Sequence, residues 1–288
     1  MTRARTFKRR PKPMAIRVMT HVAGILVALL FLAPIVWAVL ATFKSKAESG
    51  RPPLPPWPTE GVSLANYRAL DDFGAGLLHY TGNSVFVSVA TALITVVVSV
   101  LAGYGFSRFR FPWKSSLFVI VLATMMVPFQ SIVTPLFLIL AWLGLQNTLG
   151  GLVLIYVTLQ LPFSVFMMRN AFDAVPAEIA EAARIDGVRG FRLLIFVLGP
   201  LVLPGVASVG LIAFLNAWNE FLAALIFLTD QDKYTLPVLM TAVRSGRFGA
   251  IDWGAVQAGV TLMMIPCLAL FLTLQGYYIR GLTAGAVK

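Results

Sequence analysis

The chain alternates long apolar runs with short polar segments. The runs 21–43, 85–106 and 255–279 contain no Asp, Glu, Lys or Arg, and the run 201–228 contains only Glu220. An uncharged run from 115 to 168 is too long for one crossing, since a membrane-spanning helix needs about 20 apolar residues, and the polar, glycine-bearing segment 144–151 divides it. The pattern therefore predicts an all-α membrane protein with six transmembrane helices, at about 21–43, 85–106, 115–143, 149–168, 201–228 and 255–279.

The composition supports a membrane protein. Of the 288 residues, 58% are hydrophobic and 12% are charged, whereas soluble domains average about 25% charged residues. The single cysteine, Cys267, excludes an intrachain disulfide, and no Cys/His pattern indicates a metal site. His21 and His79 lie far apart in sequence and are expected to be interfacial polar residues.

The net charge of +11 is explained by topology rather than by a nucleic-acid partner. Sixteen of the 23 Lys and Arg residues fall on one side of the predicted spans, in the basic tail 1–20, two loops and the C-terminal end. Loops rich in these residues stay in the cytoplasm, so both termini and the segment 169–200 are predicted to be cytoplasmic. The first span is longer than a signal-peptide core and is expected to remain as an anchor, the start of a six-span domain covering 21–288.

Polar side chains inside two spans are candidates for a transport path, because buried polar groups at membrane depth usually face the bundle interior or water. Asn216, Asn219 and Glu220 share one face of the fifth span by their i, i+3, i+4 spacing. Gln130 and Thr134 are i, i+4 neighbours on the third span. Interhelical hydrogen bonding explains Asn216 and Gln130 equally well. Glu220 favours a path position, since a carboxylate within a span requires a partner or water.

The polar segment between the fourth and fifth spans predicts a short helix. Pro176 suits the start of a helix, and Glu178 complements the dipole of its first turn. Gly187 permits the left-handed residue that ends it. Ala182 and Ala183 leave a low surface that another protein's backbone can approach closely. A helix of about ten residues is too short to be stable alone, so packing should hold it.

The same segment contains the run 181–183 (Glu-Ala-Ala), Asp186-Gly187, the aliphatic Val197 and Pro200. This pattern resembles the EAA loop of ABC-importer permeases. The run 218–221 (Trp-Asn-Glu-Phe) and the C-terminal segment 280–288 are similar to permeases of the carbohydrate-uptake type, such as the second permease subunit of maltose importers. The resemblance implies the type I ABC-importer permease fold and a coupling loop at 169–200, with the ATPase contacted by Glu181, Ala182, Ala183, Ile185, Asp186 and Gly187.

The sequence contains no G-x-x-x-x-G-K-[ST] phosphate loop and no other catalytic motif, so it is not expected to be an enzyme. The resemblance implies that ATP and Mg are bound by a separate, dimeric cytoplasmic ATPase. It also implies a homologous second permease subunit and an external solute-binding protein that supplies a sugar or sugar-like solute. The loop from about 229 to 254 would contact this binding protein, with candidate contacts at Tyr234, Arg244, Arg247 and Trp253.

The resemblance therefore implies an ATP-driven importer in the cytoplasmic (inner) membrane that works by alternating access. The alternative from another class is a secondary transporter or channel that acts without an ATPase. An ion-coupled carrier should show internal repeats and more charge within its spans. Here Glu220 is the one charged residue inside the predicted spans, and no internal repeat is evident.

Overall fold

The computed structural model describes residues 14–49, 55–245 and 251–284. Within these ranges the chain is helical and contains no β-strand. The segments 1–13, 50–54, 246–250 and 285–288 lie outside the described residues, and they include most of the basic tail and the last residues of the C-terminal segment. The helices are α1 (Met14–Ala41), α2 (Lys46–Ser49), α3 (Ala65–Asp71), α4 (Leu77–Arg108), α5 (Lys114–Ala123), α6 (Phe129–Trp142), α7 (Leu149–Asp173), α8 (Ala177–Ile185), α9 (Gly190–Arg192), α10 (Gly199–Asn219), α11 (Leu222–Phe227), α12 (Leu236–Ser245) and α13 (Trp253–Ala284).

Among the described residues, five helical stretches are long and apolar enough to cross a membrane. They are α1, α4, α7, the stretch Gly190–Asn219 and the part of α13 from Trp253 to Thr273. A 3₁₀ turn at Thr124–Met126 extends α5, and the pair α5–α6 counts as a sixth span only if the two bent helices are taken together. The predicted all-helical architecture is confirmed, and the count of six spans depends on this bent pair.

The third predicted span, 115–143, is not one continuous helix. The pair Lys114–Met126 and Phe129–Trp142 is bent by 105°. The bend lies at Val127 and Pro128, which both have extended backbone (ψ 117° and 138°). Proline has no N–H to donate and disfavours helical backbone in the residue before it, and both effects favour the end of a helix here. Pro135, in contrast, lies inside α6 and does not end it.

Two parallel helices, α4 and α7, form the centre of the bundle. They approach closely because small residues lie between them: a Cβ on Gly103 would be 2.6 Å from Cβ of Met168 and 2.8 Å from the backbone N of Arg169. Small side chains at the contact are the usual means of close helix packing in membranes. One face of α4 is lined by hydroxyl side chains that are almost completely buried, Ser84, Ser88, Thr91, Thr95 and Ser99.

The third central helix, α10, runs antiparallel to α4 and α7. Near its start, Val202 packs in one core cluster with Phe172 from the end of α7. Near its end, Asn216 Nδ2 donates a hydrogen bond to Gln160 Oε1 in the middle of α7, at 2.8 Å. Trp218 Nε1 donates to the carbonyl oxygen of Met263, at 3.0 Å, and attaches α13 to the same bundle.

The segment after α11 is held at the starts of α4 and α7. Asn83 Nδ2 donates to the carbonyl oxygens of Asp232 and Tyr234, at 2.8 and 3.0 Å. Asn147 Oδ1 accepts from the backbone N–H of Thr229 and Asp230, at 3.0 and 3.2 Å. The starts of α4 and α7 and this segment therefore lie at one end of the bundle, and the end of α7 with α8 lies at the other.

A buried carboxylate, Glu48, fixes the segment that precedes α3. Its Oε1 accepts from the Thr59 hydroxyl and from the backbone N–H of Thr59 at 2.7 Å and Glu60 at 3.3 Å. The hydrogen bond from the Thr59 hydroxyl, together with the backbone N–H groups, lowers the pKa of Glu48 to about 2. Nearby, Asn66 Nδ2 donates to the carbonyl oxygens of Thr42 and Lys44, both at 3.0 Å, and joins the end of α1 to α3.

Candidate functional site

The predicted helix of the polar segment is α8, Ala177–Ile185. Pro176 precedes it with extended backbone, and Glu178 lies in its first turn, where negative charge complements the helix dipole. Gly187 has a φ of 85°, which a side chain would strain. The backbone N–H of Gly187 donates to the carbonyl oxygen of Arg184 at 3.1 Å, and the backbone N–H of Val188 donates to the carbonyl oxygen of Ala183 at 2.9 Å. These two bonds form the Schellman arrangement that commonly ends a helix.

One face of α8 is buried against the ends of the long helices. Ala180 and Ala183 are 4% and 9% exposed. They belong to a core cluster with residues from α4, α7, the π-helical turn Leu193–Leu198 and α10, namely Tyr104, Met168, Phe172, Leu193, Leu194, Leu198 and Val202. Packing thus holds this short helix, as expected.

The opposite face of α8 is open. Glu178, Glu181, Ala182 and Ile185 are exposed, and Ile185 has 87% of its surface accessible. Ala183, also predicted to contact the ATPase, has its side chain against the bundle, and its contact with the ATPase stays a prediction. Helical geometry separates neighbouring residues by about 100°, so one alanine of the pair faces out and the other faces in. Asp186 and Gly187 follow the helix and are exposed.

A second candidate region lies at a break in the fifth span, around Glu220. The helix α10 ends at Asn219, Glu220 has extended backbone (ψ 132°), and the chain resumes as α11. Glu220 Oε2 accepts from the Tyr156 hydroxyl at 2.6 Å. The carboxylate also accepts from the backbone N–H of Ala223, at 2.9 Å, and of Ala224, at 3.2 Å. The charge therefore has a side-chain donor from α7 and backbone donors freed by the break.

A cavity of about 260 Å³ opens beside this carboxylate. Its lining combines polar groups from three helices: Thr91, Tyr156, Gln160, Asn216 and Glu220, with Leu159, Ala213 and Ala217 between them. The Gln160 side chain accepts from Asn216 and donates to the Ser164 hydroxyl, at 2.8 and 3.5 Å. Hydroxyl, amide and carboxylate groups facing one cavity can hydrogen-bond a polyhydroxylated solute.

The other predicted path residues lie elsewhere. Asn219 Nδ2 donates to the carbonyl oxygen of Leu215, at 2.8 Å, and lies 3.9 Å from Sγ of Cys267 on α13. Gln130 and Thr134 share an exposed face of α6, while Phe129, Val133 and Leu136 on the other face pack against the core. The cavity therefore includes two of the five predicted path residues, Asn216 and Glu220.

Sequence inspection missed Tyr156 and Gln160, which complete the cavity. Both lie in the predicted fourth span, 149–168, which contains no Asp, Glu, Lys or Arg. Gln160 was detectable as an amide near the middle of that span, 8% exposed in the fold. Tyr156 carried no such signal, because tyrosine is common in apolar helices and its partner Glu220 is 64 residues away.

Three of the four predicted binding-protein contacts, Tyr234, Arg244 and Trp253, lie at the end of the bundle opposite α8. Tyr234 packs partly against the core, and Asn83 holds its carbonyl oxygen. Arg244 is exposed in the last turn of α12, and Trp253, at the start of α13, is 52% exposed. Arg247 lies outside the described residues. Nearby, hydrogen bonds from Lys233 and Asn147 lower the pKa of Asp230.

These features define a multi-pass helical membrane protein with a polar cavity and an exposed helix at one end. Residues 95–284 match the family described as "Binding-protein-dependent transport system inner membrane component". The chain belongs to this family. The resemblance to ABC-importer permeases found from the sequence is confirmed, and so is the expected role as a transport subunit.

Similar proteins include several named permeases. "Trehalose/maltose transport system permease protein MalG" of Thermococcus litoralis is 34% identical over 273 residues, which cover 94% of this chain and 97% of that protein. "Diacetylchitobiose uptake system permease protein NgcG" of Streptomyces coelicolor is 33% identical over 274 residues, or 93% and 88% of the two chains. "Probable ABC transporter permease protein YurM" of Bacillus subtilis is 34% identical over 259 residues, or 88% and 83%.

Solved structures share the fold. A chain of a bacterial ABC transporter involved in the import of the acidic polysaccharide alginate superposes with a TM-score of 0.79 at 22% identity, over 93% of this chain and 99% of that one. A chain of a bacterial alginate transporter in complex with an alginate pentasaccharide-bound periplasmic protein gives 0.63 at 14% identity, over 92% and 95%.

Proposed function

We propose that this chain is a permease subunit of an ATP-driven ABC importer that moves a sugar or oligosaccharide across the cytoplasmic membrane by alternating access. Membership of the family and the sugar-uptake names of similar permeases support the transport class. The observation that carries the coupling proposal is α8, a short helix that is anchored by Ala180 and Ala183 and exposes its other face. Such a helix can receive a partner and pass its movement to the bundle.

The open face of α8 is the proposed contact with the ATPase. Glu181 supplies charge, Ala182 permits close approach of the partner, and Ile185 supplies an apolar side chain that is 87% exposed. Burial of one large aliphatic side chain contributes about 1.5–3 kcal/mol, so Ile185 is the proposed energetic centre of this contact. The excess of Lys and Arg in the same loops and in the N-terminal tail favours a cytoplasmic location for this end, with both termini inside.

The cavity beside Glu220 is the proposed part of the translocation path in this subunit. Its polar groups come from α4, α7, α10 and the break after α10, and α10 follows the α8 loop in the chain. Movement of α8 would therefore shift the helices that line the cavity. A switch of this kind requires that the ATPase contact differs between the two states of the transporter.

Partners would complete the assembly on three surfaces. The most hydrophobic part of α1 contains no buried residue, and it would face lipid and the second permease subunit. The end with Tyr234, Arg244 and Trp253 would face an external solute-binding protein. ATP and Mg would be bound by the ATPase dimer at the α8 end.

Co-purification in detergent tests the coupling proposal. The complex should be expressed with a tagged ATPase subunit, and this chain should carry Glu181→Lys or Ile185→Asp. Both variants should insert in the membrane, but less ATPase should co-purify with them than with the wild-type chain. Arg189→Gln is the matched control, because Arg189 is exposed beyond the end of α8 and should not affect recovery. Equal recovery of the ATPase with all four chains would contradict the docking assignment.

A further inference from the structure

The end of α4 is attached to the short link between α7 and α8. Arg108 is the last residue of α4. Its Nη2 donates to the carbonyl oxygens of Phe172 and Val175, at 2.7 and 2.6 Å. Phe172 lies in the last turn of α7, and Val175 lies in the three-residue link before α8. One guanidinium group therefore bonds both the last turn of α7 and the link that leads into α8.

The position of this guanidinium matches the chemistry of the junction. Carbonyl groups at the end of a helix have no partner in the next turn and carry the negative end of the helix dipole. Pro176 follows Val175, precedes the first residue of α8 and has no N–H group. Arg108 supplies a charged donor to these carbonyls, and its Nε is buried with no hydrogen-bond partner in the described part of the chain. Within the described residues, the two hydrogen bonds from Nη2 thus attach the guanidinium to the junction.

Neighbouring bonds reinforce the same attachment. Ser107 Oγ donates to Asp173 Oδ1 at 2.6 Å. Asp173 also lies 3.5 Å from Nε of Arg169, and the Arg169 guanidinium stacks over the Phe118 ring of α5, 4.0 Å from its centroid. The ends of α4 and α7 and the body of α5 therefore meet at the residues that precede α8.

We propose that Arg108 is a positioning residue for energy coupling: it fixes the α7–α8 junction to the end of α4, so that displacement of α8 moves α4 as well as α7. This proposal rests on the proposed function, in which α8 receives the ATPase. The consequence for transport follows from the cavity, because α4 contributes Thr91 to its wall and α7 contributes Tyr156 and Gln160. Without Arg108, the α7–α8 junction would lose its charged contact with α4, and α4 would follow the displacement of α8 less closely.

The competing explanation of Arg108 is that it serves only as one of the positive charges that set topology. Arg108→Lys separates the two explanations. Lysine keeps the positive charge, but its Nζ ends one atom short of the position of Nη2, the nitrogen from which arginine donates to both carbonyls. Arg108→Gln removes the charge as well. Arg110→Gln, in the same loop and exposed, is the matched control.

The experiment uses the assembled transporter in proteoliposomes, with trehalose, maltose and diacetylchitobiose as labelled probes. The measured quantity is the number of ATP molecules hydrolysed for each sugar molecule imported. Because residues along a coupling route change coupling by about 0.5–2 kcal/mol, both Arg108 variants should raise this ratio about 2- to 30-fold, and Arg110→Gln should leave it unchanged. Quantified subunit stoichiometry checks assembly of each complex.

The two proposals fail in different ways. If the wild-type complex imports none of the probes with ATP, the proposed function fails. If the wild-type complex couples ATP hydrolysis to import and Arg108→Lys has the same ratio, the positioning role is overturned. Loss of the assembled complex in both Arg108 variants would also overturn it, because Arg108 would then be required for the fold and not for coupling.

Discussion

The hydrogen bond between Tyr156 and Glu220 should contribute measurably to the stability of the bundle. It joins α7 to the break between α10 and α11, with 2.6 Å between the hydroxyl and Oε2. A hydrogen bond to a charged group contributes about 1.5–3 kcal/mol in proteins generally, and interhelical bonds in membranes average about 0.6 and reach about 1.7 kcal/mol. Glu220 keeps its backbone donors when the hydroxyl is lost. We therefore expect a coupling energy of about 1–2 kcal/mol.

A double-mutant cycle of Tyr156→Phe and Glu220→Gln measures this energy, with unfolding followed in mixed detergent and SDS micelles. The double variant should lose about 1–2 kcal/mol less than the sum of the single variants. Tyr104→Phe combined with Glu220→Gln is the control cycle and should be additive. Tyr104 lies near the C-terminal end of α4 and packs in a different core cluster from Tyr156. Additivity of Tyr156→Phe and Glu220→Gln within about 0.3–0.5 kcal/mol would refute the assigned contact.

Three further predictions concern packing and pH. Ala183→Leu should cost about 1–3 kcal/mol in thermal unfolding of the purified chain, because the side chain is buried, whereas exposed Ala182→Leu should change stability little. Gly103→Ala should cost about 1–3 kcal/mol in the same assay because its Cβ would meet the backbone of α7, and Gly105→Ala, with open space around it, should not. The low folded-state pKa of Glu48 means that its stabilisation is complete above pH 4.5 and is lost as the pH falls towards 2. Pepsin cleavage within 55–64 should therefore be faster in Glu48→Gln than in wild type at pH 4.5, and the difference should shrink towards pH 2; a constant difference would contradict this.

The sequence predicted the long helices well because uncharged runs of membrane length have few alternative structures. It was less informative where a helix breaks. Proline inside a run either ends a helix, as at Pro128, or is tolerated, as at Pro135 in α6, and the outcome depends on packing that one sequence does not reveal. The break at Glu220 has no proline at all. There the carboxylate bonds the backbone N–H groups of the next helix, and this arrangement favours two helices over one.

Candidate site residues could be predicted where the pattern that marks them lies within a few neighbouring residues, and not where it depends on residues distant in sequence. The helix α8 was predicted from neighbouring residues, and its start, its end and the left-handed conformation of Gly187 agree with the structure. Which alanine faces the bundle depended on the position of Met168 and Phe172, which are distant in sequence. The cavity required Tyr156 and Gln160 to lie opposite α10, and that pairing arises from the tertiary fold.

ATP-dependent uptake in proteoliposomes tests the central claim most directly. The complex should be reconstituted with ATP inside the vesicles, on the side that exposes α8, and with the solute-binding protein outside. Uptake of labelled trehalose, maltose or diacetylchitobiose is then measured with and without ionophores. An ATP-driven importer predicts uptake that requires both ATP and the binding protein and that persists when ion gradients are collapsed. Uptake that proceeds without ATP and stops with ionophores would contradict the account and identify a secondary transporter.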